Sequence, residues 1–275
     1  MPDFDVLKGE EQAEAIKIYL QKNQSDTSSA LLDLSNKGLL LAQHNKWPSY
    51  QASFLRLHGS LLLAKGLPDS ALVVLKNALV LAKKELLTNE IEEINGTLGN
   101  VYYKLYDLES AIEYWIPTLE YYKLQSLDFS LASRLSQLGN AYLMLGETET
   151  GIKYHKKALK LDTVKSAPLL QGRIYNSLGY GFDDLNNYDS AIFYYNSAFE
   201  IGQQTKDANR MGMALINKCA VYESQGKKEE AIDCLKNTIS FLKDNKMENF
   251  LVRIYTTKVN LQLNTQKPNE ALRSI

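Results

Sequence analysis

Apolar and polar residues along the chain follow the 3.6-residue period of amphipathic α-helices. In the segment after residue 188, for example, one apolar stripe is formed by Ala191, Tyr195, Ala198 and Phe199. Such a stripe predicts a helix that packs one face on a core. The chain has six prolines in 275 residues, a low number that suits long helices. The pattern therefore predicts an all-α protein.

The helical pattern recurs with a period of 40 residues. Small residues align in one column at Gly59, Gly99, Gly139, Gly179 and Cys219. Three residues later stand Leu62, Tyr102, Tyr142, Phe182 and Tyr222, and twelve residues later stand Ala71, Ala111, Gly151, Ala191 and Ala231. One further step reaches Val259 and Ala271. Three columns in register over five copies indicate an internal repeat.

A turn signal lies between the two small-residue columns. Gly66, Gly146 and Gly226 occupy equivalent positions, and Asn186 takes this position in a fourth copy. Glycine and asparagine tolerate the left-handed backbone conformation that ends many helices. Acidic and hydroxyl residues suited to a helix start follow each of them. Each repeat is thus predicted to consist of a first helix, a tight turn and a second helix.

Glycines that recur inside predicted helices call for a packing reason, because glycine there costs about 1 kcal/mol relative to alanine. We expect each glycine of the first helix, such as Gly139, to face the small residue of the second helix, here Gly151. The two backbones would then approach closely, and a large side chain would overpack the contact.

The order Leu-Gly-x-x-Tyr, Ala, aromatic, Ala resembles the tetratricopeptide repeat, most clearly at 98–118, 138–158 and 178–198. Two departures are the period of 40 and the missing proline after the second helix. With these departures the chain is similar to the long-repeat subclass, which includes G-protein-signalling modulators, kinesin light chains, bacterial Rap-type regulators and histidine-kinase sensor regions. The resemblance implies an α-α superhelix of about six to seven helix-turn-helix repeats that binds a protein or peptide.

We expect one repeat domain over 1–275, with approximate repeats at 6–46, 50–88, 90–127, 130–166, 170–206, 210–246 and an incomplete 250–275. In the first, degenerate repeat, Ala13 to Leu20 is predicted to form the first helix, and Ser29-Ala30 lies in the second. A repeat cannot bury its apolar face without a neighbour or cap. The incomplete last repeat therefore predicts that the natural chain is longer.

Composition and charge narrow the class of partner. The formal net charge is −1, with 45% hydrophobic and 23% charged residues, so no global field attracts nucleic acid or an anionic membrane. No apolar stretch is long enough to span a bilayer, and no signal peptide follows Met1. We expect a cytoplasmic protein; the alternative is an extracytoplasmic sensor region with its leader removed. Cys219 and Cys234 are expected to be small core residues without a disulfide framework.

Motifs for catalysis are absent from the sequence. It has no Gly-rich phosphate loop, no His-Glu-x-x-His and no Cys-x-x-Cys, and we expect no metal site and no cofactor. His155 takes an aromatic position of the repeat and is expected to be a packed core ring. The pair Asp183-Asp184 lacks nearby partners for metal binding or acid-base chemistry. An enzymatic activity would need a further domain after Ile275.

The resemblance implies that the residue after each column glycine points into the concave wall formed by the first helices. Asparagines occupy this position three times among six, and a ladder of primary amides can grip a peptide backbone through donors and acceptors. Helical spacing adds charged and polar neighbours. The predicted peptide-binding residues are Asn100, Asn140, Tyr180, Asn260, Tyr103, Lys104, Gln137, Met144, Arg173, Asn176, Asp183, Asn217 and Arg253.

Charges along this predicted wall are mixed. Arg173 and Arg253 would meet a carboxylate or phosphate, whereas Asp183, Asp184 and Glu223 would meet a basic side chain. Basic residues do not recur as the carboxylate clamp of chaperone-binding members requires. The leading hypothesis is a peptide- or protein-binding module in the sensor or docking region of a larger signalling protein. The alternative is a self-assembling scaffold, for which a homodimer is one form.

Overall fold

A computed structural model describes residues 2–24, 26–251 and 254–255. All regular structure in these residues is helical, and no strand occurs among them. The helices are α1 (Gly9–Lys22), α2 (Ser29–His44), α3 (Pro48–Ala64), α4 (Pro68–Lys84), α5 (Thr88–Lys104), α6 (Leu108–Leu124), α7 (Asp128–Met144), α8 (Thr148–Leu159), α9 (Asp162–Lys165), α10 (Pro168–Asp184), α11 (Tyr188–Thr205), α12 (Ala208–Ser224) and α13 (Lys228–Asp244). The prediction of an all-α repeat fold is confirmed.

The chain divides into two compact units, unit 1 over Met1–Leu127 and unit 2 over Asp128–Ile275. In unit 1 each helix from α1 to α6 packs against the next one, and α3 also packs against α5. Unit 2 repeats this arrangement, with α10 packed against α11 and α12. The predicted helix over Ala13 to Leu20 lies within α1, and Ser29 begins α2. Val259 and Ala271, the last predicted column positions, lie outside the described residues.

Buried side chains fill the space between successive helices. In unit 1 the fully buried residues include Phe54, Leu75 and Leu98, which come from α3, α4 and α5. In unit 2 the buried residues include Leu178 of α10 and Leu235 of α13. The core is thus a continuous row of contacts within each unit, as expected when a repeat buries its apolar face on its neighbours.

A residue with positive φ follows every helix from α2 to α13 except α8 and α9, and these residues fall on a spacing of 20 residues. These residues are Lys46, Gly66, Leu86, Tyr106, Ser126, Gly146, Asn186, Lys206, Gly226 and Lys246. The amide of the following residue donates to the carbonyl five residues earlier, as from Leu67 to Leu62 at 3.0 Å. This hydrogen bond is the mark of a left-handed helix cap. The predicted turns at Gly66, Gly146, Gly226 and Asn186 are therefore confirmed, and each 40-residue repeat consists of two 20-residue halves.

The one gap in this series falls at residue 166. The 20-residue spacing implies a single helix after Gly146, yet α8 ends at Leu159 and the short α9 follows. Leu161 between them has an extended backbone, with φ of −80° and ψ of 127°. Val164 of α9 is buried, with 1% of its surface exposed. The interrupted helix therefore still contributes an apolar residue to the core.

The glycine column packs tightly, but its partner differs from the expected one. A Cβ atom added to Gly139 would lie 2.6 Å from Cδ2 and Nε2 of His155 in the second helix. The same 16-residue relation joins Gly59 to Leu75, Gly99 to Trp115 and Gly179 to Tyr195. The expectation was therefore incomplete: the side-chain face of each glycine packs on a large residue, whereas the backbone of Gly139 meets the small-residue column at Gly151. The column glycines make room for one large side chain each.

The small-residue column has its own close contact. A Cβ atom added to Gly151 would lie 2.8 Å from the carbonyl oxygen of Gly139 and 2.8 Å from Cγ of Leu143. Small residues here let the second helix approach the backbone of the first helix. The prediction of close backbone approach is thus confirmed at this column.

Cys219 and Cys234 form a disulfide, with their Cα atoms 5.5 Å apart. The bond joins α12 to α13. The expectation that both cysteines are unlinked core residues was wrong. The reason lies in the repeat itself: Cys219 occupies the glycine column, and Cys234 stands next to the position that packs on this column.

Candidate functional site

The first helices of three successive repeats in unit 2 form a polar groove. We call it the unit 2 groove; its cavity volume is about 330 Å³. It is lined by Asn140 of α7, by Arg173, Asn176 and Ser177 of α10, and by Asp207, Asn209, Arg210 and Met213 around the start of α12. Three of the predicted binding residues, Asn140, Arg173 and Asn176, thus come together in one place.

Asparagine amides connect the helices that line the groove. Oδ1 of Asn140 accepts a hydrogen bond from Oγ of Ser177 at 2.8 Å. Oδ1 of Asn176 accepts from Nδ2 of Asn217 at 2.9 Å. These bonds link α7 to α10 and α10 to α12. The Asn140 side chain therefore also contributes to helix packing, because its oxygen is one partner in a contact between helices.

An arginine that the sequence analysis missed lies at one end of the groove. Arg210 forms an ion pair with Asp207 at 3.3 Å, and the side chain of Arg210 is 13% exposed. Asp207 also caps α12 by accepting a hydrogen bond from the backbone amide of Arg210 at 3.0 Å. A Cβ atom added to Gly172 would lie 2.8 Å from Cδ and Nη1 of Arg210. Gly172 therefore leaves space for the guanidinium beside the exposed Arg173.

Gly172 is the residue from which the position of Arg210 could have been predicted in the sequence. It lies inside a helix, seven residues before the glycine column, and Gly212 occupies the same position in the next repeat. A glycine in that position indicates the close approach of another group. The aspartate before α12 was the second signal, because aspartate is a preferred N-cap residue.

Carboxylates lie at the other end of α10. Arg173, Tyr180 and Asp184 share one helix face, since seven and eleven residues are close to whole numbers of turns. Along the helix axis Arg173 and Asp184 are about 16 Å apart at 1.5 Å per residue. Tyr180 is exposed, and Asp184 accepts a hydrogen bond from Oγ1 of Thr148.

Burial, and then the neighbouring carboxylate of Asp184, raise the pKa of Asp183 above its usual value.

Gln137 and Met144 both lie on α7. Oε1 of Gln137 accepts a hydrogen bond from Nη1 of Arg134 at 2.9 Å, and Arg134 is buried. Met144 is exposed at the end of the helix. Neither residue lines the unit 2 groove. Their role in binding stays a prediction.

The predicted residues of unit 1 form a separate set. Oδ1 of Asn100 accepts a hydrogen bond from Nε1 of Trp115 at 3.2 Å. The ring of Tyr103 lies against Trp115 with centroids 5.5 Å apart, and Lys104 is exposed. Burial, and then the nearby Tyr106, raise the pKa of Tyr103. Asn100 therefore holds a core aromatic residue within its repeat.

Charged links replace amides between the first helices of unit 1. Oγ of Ser49 donates to Oε1 of Glu90, and Nη1 of Arg56 lies 3.9 Å from Oε2 of Glu93. These contacts join α3 to α5. The two units thus use different side chains at a similar place in the repeat. The predicted residues Arg253 and Asn260 lie outside the described residues.

The described residues contain no group of three or more His, Cys, Asp or Glu side chains placed to hold a metal ion. None of their helices is long and apolar enough to cross a membrane.

Comparisons with known proteins concern mainly the fold. The family model for anaphase-promoting complex subunit 5 matches residues 183–265, which is less than half of the chain. A search of curated proteins finds no match.

Solved structures of similar fold cover most of the chain. The apo form of RapI superposes with a TM-score of 0.77 at 14% identity and covers 95% of this chain and 74% of its own. A signal-transduction ATPase from Pyrococcus horikoshii, which has a tetratricopeptide repeat sensor, gives a TM-score of 0.75 at 17% identity and covers 95% of this chain and 40% of its own. NprR in complex with its cognate peptide NprX gives 0.60 at 17% identity, with 92% and 74% covered. The chain therefore has the fold of the tetratricopeptide-type repeat proteins.

Proposed function

We propose that this chain binds an extended peptide or protein segment in the unit 2 groove, as the sensor or docking region of a signalling protein. The observation that carries this proposal is a polar groove that spans three consecutive first helices, with two arginines at one end. Amide groups line its centre, and Asp184 lies further along α10. The chain would act by binding rather than by catalysis.

The groove offers a peptide hydrogen-bond donors. The oxygens of Asn140 and Asn176 each already accept one hydrogen bond within the protein, so we expect their amide N–H groups to be the main groups offered to a ligand. A peptide carbonyl is the matching acceptor, and it occurs once per residue in any sequence. The asparagines would therefore bind the main chain of the peptide and contribute little to discrimination between peptide sequences.

Charged side chains on α10 would determine which peptide sequences bind. Arg173 is exposed and would bind a carboxylate, and Asp184 would bind a basic group. Their separation of about 16 Å corresponds to roughly five residues of extended chain, at about 3.3–3.6 Å per residue. The expected ligand carries an acidic and a basic group at that spacing.

Proteins of similar fold support binding of this type. NprR is solved in complex with its cognate peptide, and a Rap protein is solved in complex with the competence and sporulation factor. Both are 13–17% identical to this chain, so they support the proposal by fold alone. We place the chain in the cytoplasm, with an extracytoplasmic sensor region as the alternative.

Two fluorescent peptides of equal composition would test this function. One has Asp and Lys about five positions apart in an alanine-rich extended sequence, and the other has the same two residues adjacent. We expect the spaced peptide to bind more tightly, and Arg173→Ala to weaken it about tenfold at low salt and less at high salt. Lys153→Ala changes an exposed lysine of the second helix α8 and serves as the control. Equal binding of the two peptides, unaffected by Arg173→Ala, would contradict the proposal.

Self-assembly is the second candidate function. Large apolar residues are exposed on second helices, including Val73 at 61% and Phe193 at 62%. They occupy equivalent positions three repeats apart. Static light scattering over a range of concentrations separates the two candidates. A mass that rises with concentration, and falls after Phe193→Ser, would favour the scaffold.

A further inference from the structure

The disulfide between Cys219 and Cys234 stands at a special place in the repeat. The column that holds glycine at 59, 99, 139 and 179 holds Cys219 in the repeat formed by α12 and α13. In the other repeats a large side chain packs on this column without a covalent link. Here the bond links two cysteines 15 residues apart in sequence and joins the two helices of one repeat. One repeat of unit 2 thus depends on a redox-sensitive group.

The two cysteines differ in exposure. Cys219 is buried, with 2% of its surface exposed. Cys234 is half-buried and lines a groove of about 410 Å³ between α12 and α13. Lys218, Glu230 and Asp233 also line this groove. A small zwitterionic thiol can enter there and meet charges of both signs, whereas Cys219 is shielded.

We propose that the Cys219–Cys234 bond is a thiol-exchange site, which low-molecular-weight thiols such as glutathione open by attack on Sγ of Cys234. The incoming thiolate forms a new S–S bond with Cys234, and the old bond breaks with its electron pair going to Cys219. A second thiolate then attacks the sulfur of the bound thiol and releases Cys234 as a thiolate. Both protein thiolates take up protons from water. The protein gains two electrons, and two thiols become one small disulfide.

Thr238 assists the first step. Its Oγ1 lies 3.3 Å from Sγ of Cys219 and 2.9 Å from the backbone oxygen of Cys234. When the bond breaks, the hydroxyl hydrogen can turn from the carbonyl oxygen to the new thiolate. A leaving thiolate that accepts a hydrogen bond is more stable, so exchange is faster. The buried leaving group would otherwise develop its charge without a donor.

Exchange at this site would act on the unit 2 groove. Cys219 follows Asn217 by two residues on α12, and Asn217 donates to Asn176 in the row of amides. The disulfide fixes α12 against α13, and its opening removes that restraint. This consequence rests on the proposed function, but the exchange itself does not.

The test uses the whole chain in its folded state. It is incubated with reduced and oxidised glutathione at graded ratios, quenched with acid and an alkylating reagent, and digested for mass spectrometry. We expect the glutathione adduct on Cys234 and alkylation of both cysteines only after reduction. Thr238→Val should slow opening about fivefold, the effect of one hydrogen bond, and Thr238→Ser should restore the rate. Far-UV circular dichroism of each variant confirms that it is folded.

Three results would overturn the proposal. One is alkylation of both cysteines without any reductant, which would mean that the bond does not form. Another is an adduct mainly on Cys219, which would mean that the buried sulfur is attacked. The third is a bond that opens only under conditions that also abolish the circular dichroism signal, because exchange would then need unfolding. None of these results depends on the binding of a peptide, so the proposed function can fail separately.

Discussion

Replacement of His155 by leucine should remove an acid sensitivity from unit 2. The His155 side chain is 0% exposed, and neither ring nitrogen has a hydrogen-bond partner. Burial lowers the pKa of His155 from 6.5 to about 4. Leucine is about the size of histidine and already occupies the equivalent position as Leu75, opposite Gly59. His155→Leu should therefore fit against Gly139 without a new cavity.

The direction of the effect follows from the lowered pKa. Above about pH 6.5 the imidazole is neutral in both the folded and the unfolded chain. Below that pH the unfolded chain binds a proton that the folded chain cannot bind until about pH 4, so the free energy of unfolding falls. At about 1.4 kcal/mol per pKa unit, the loss between pH 7.5 and pH 4.5 is about 2–3 kcal/mol. His155→Leu should remove this part of the loss.

Urea unfolding of wild type and variant at the two pH values measures the effect. Both tryptophans, Trp47 and Trp115, lie in unit 1, so circular dichroism is needed to follow unit 2. His58 of unit 1 also has a lowered pKa because of burial, and its contribution cancels because it is present in both proteins. His44→Gln, a change of an exposed histidine, is the control. If wild type and His155→Leu lose equal stability on acidification, the buried imidazole does not exclude its proton and the reasoning fails.

Three further predictions concern stability and are measured by urea unfolding. Gly139→Leu should destabilise unit 2 by about 1–3 kcal/mol or more, because the leucine side chain would overpack against His155. The control Lys153→Ala changes an exposed residue and should alter the free energy of unfolding by no more than about 0.5 kcal/mol. Equal urea midpoints for the two variants would contradict the packing of Gly139. Leu86→Gly should stabilise unit 1 by up to about 1 kcal/mol, because Leu86 has a φ of 56° and is 84% exposed; a loss of stability would show that its side chain contributes. Reduction of the Cys219–Cys234 bond should lower the free energy of unfolding by about 3 kcal/mol, and an unchanged value would show that the bond adds nothing.

The helical frame was predictable because it depends on residue types that recur. Glycines and aromatic residues at 40-residue spacing gave the repeat, and Gly66, Gly146 and Gly226 gave the turns. The turns at Leu86 and Tyr106 could not be predicted from their residues, since neither type favours a left-handed backbone. There the packing of neighbouring helices overrides the local preference. The 20-residue half-repeat was therefore hidden by the sequence and became visible only in the backbone angles.

The candidate site was predictable in part. The column register brought Asn140, Arg173 and Asn176 to one groove, because residues at equivalent positions of neighbouring first helices lie side by side. It did not predict that two of these amides already bind neighbouring helices, since hydrogen bonds depend on side-chain geometry that spacing does not contain. Arg210 was missed for a similar reason. Its place in the groove depends on the space above Gly172.

The contact at the glycine column has a different chemistry in each of four successive repeats. Opposite the glycine column lie Trp115, which donates to the carbonyl oxygen of Gly96 at 3.2 Å, the buried His155 and the ring of Tyr195. In the next repeat Cys219 replaces the glycine, and the disulfide takes over the contact. The backbone geometry that the repeat requires is the same in each case. The pairing of the two helices therefore restricts the size of the side chain that packs here but not its chemical type. A repeat can thus become sensitive to acid or to thiols without a change of fold.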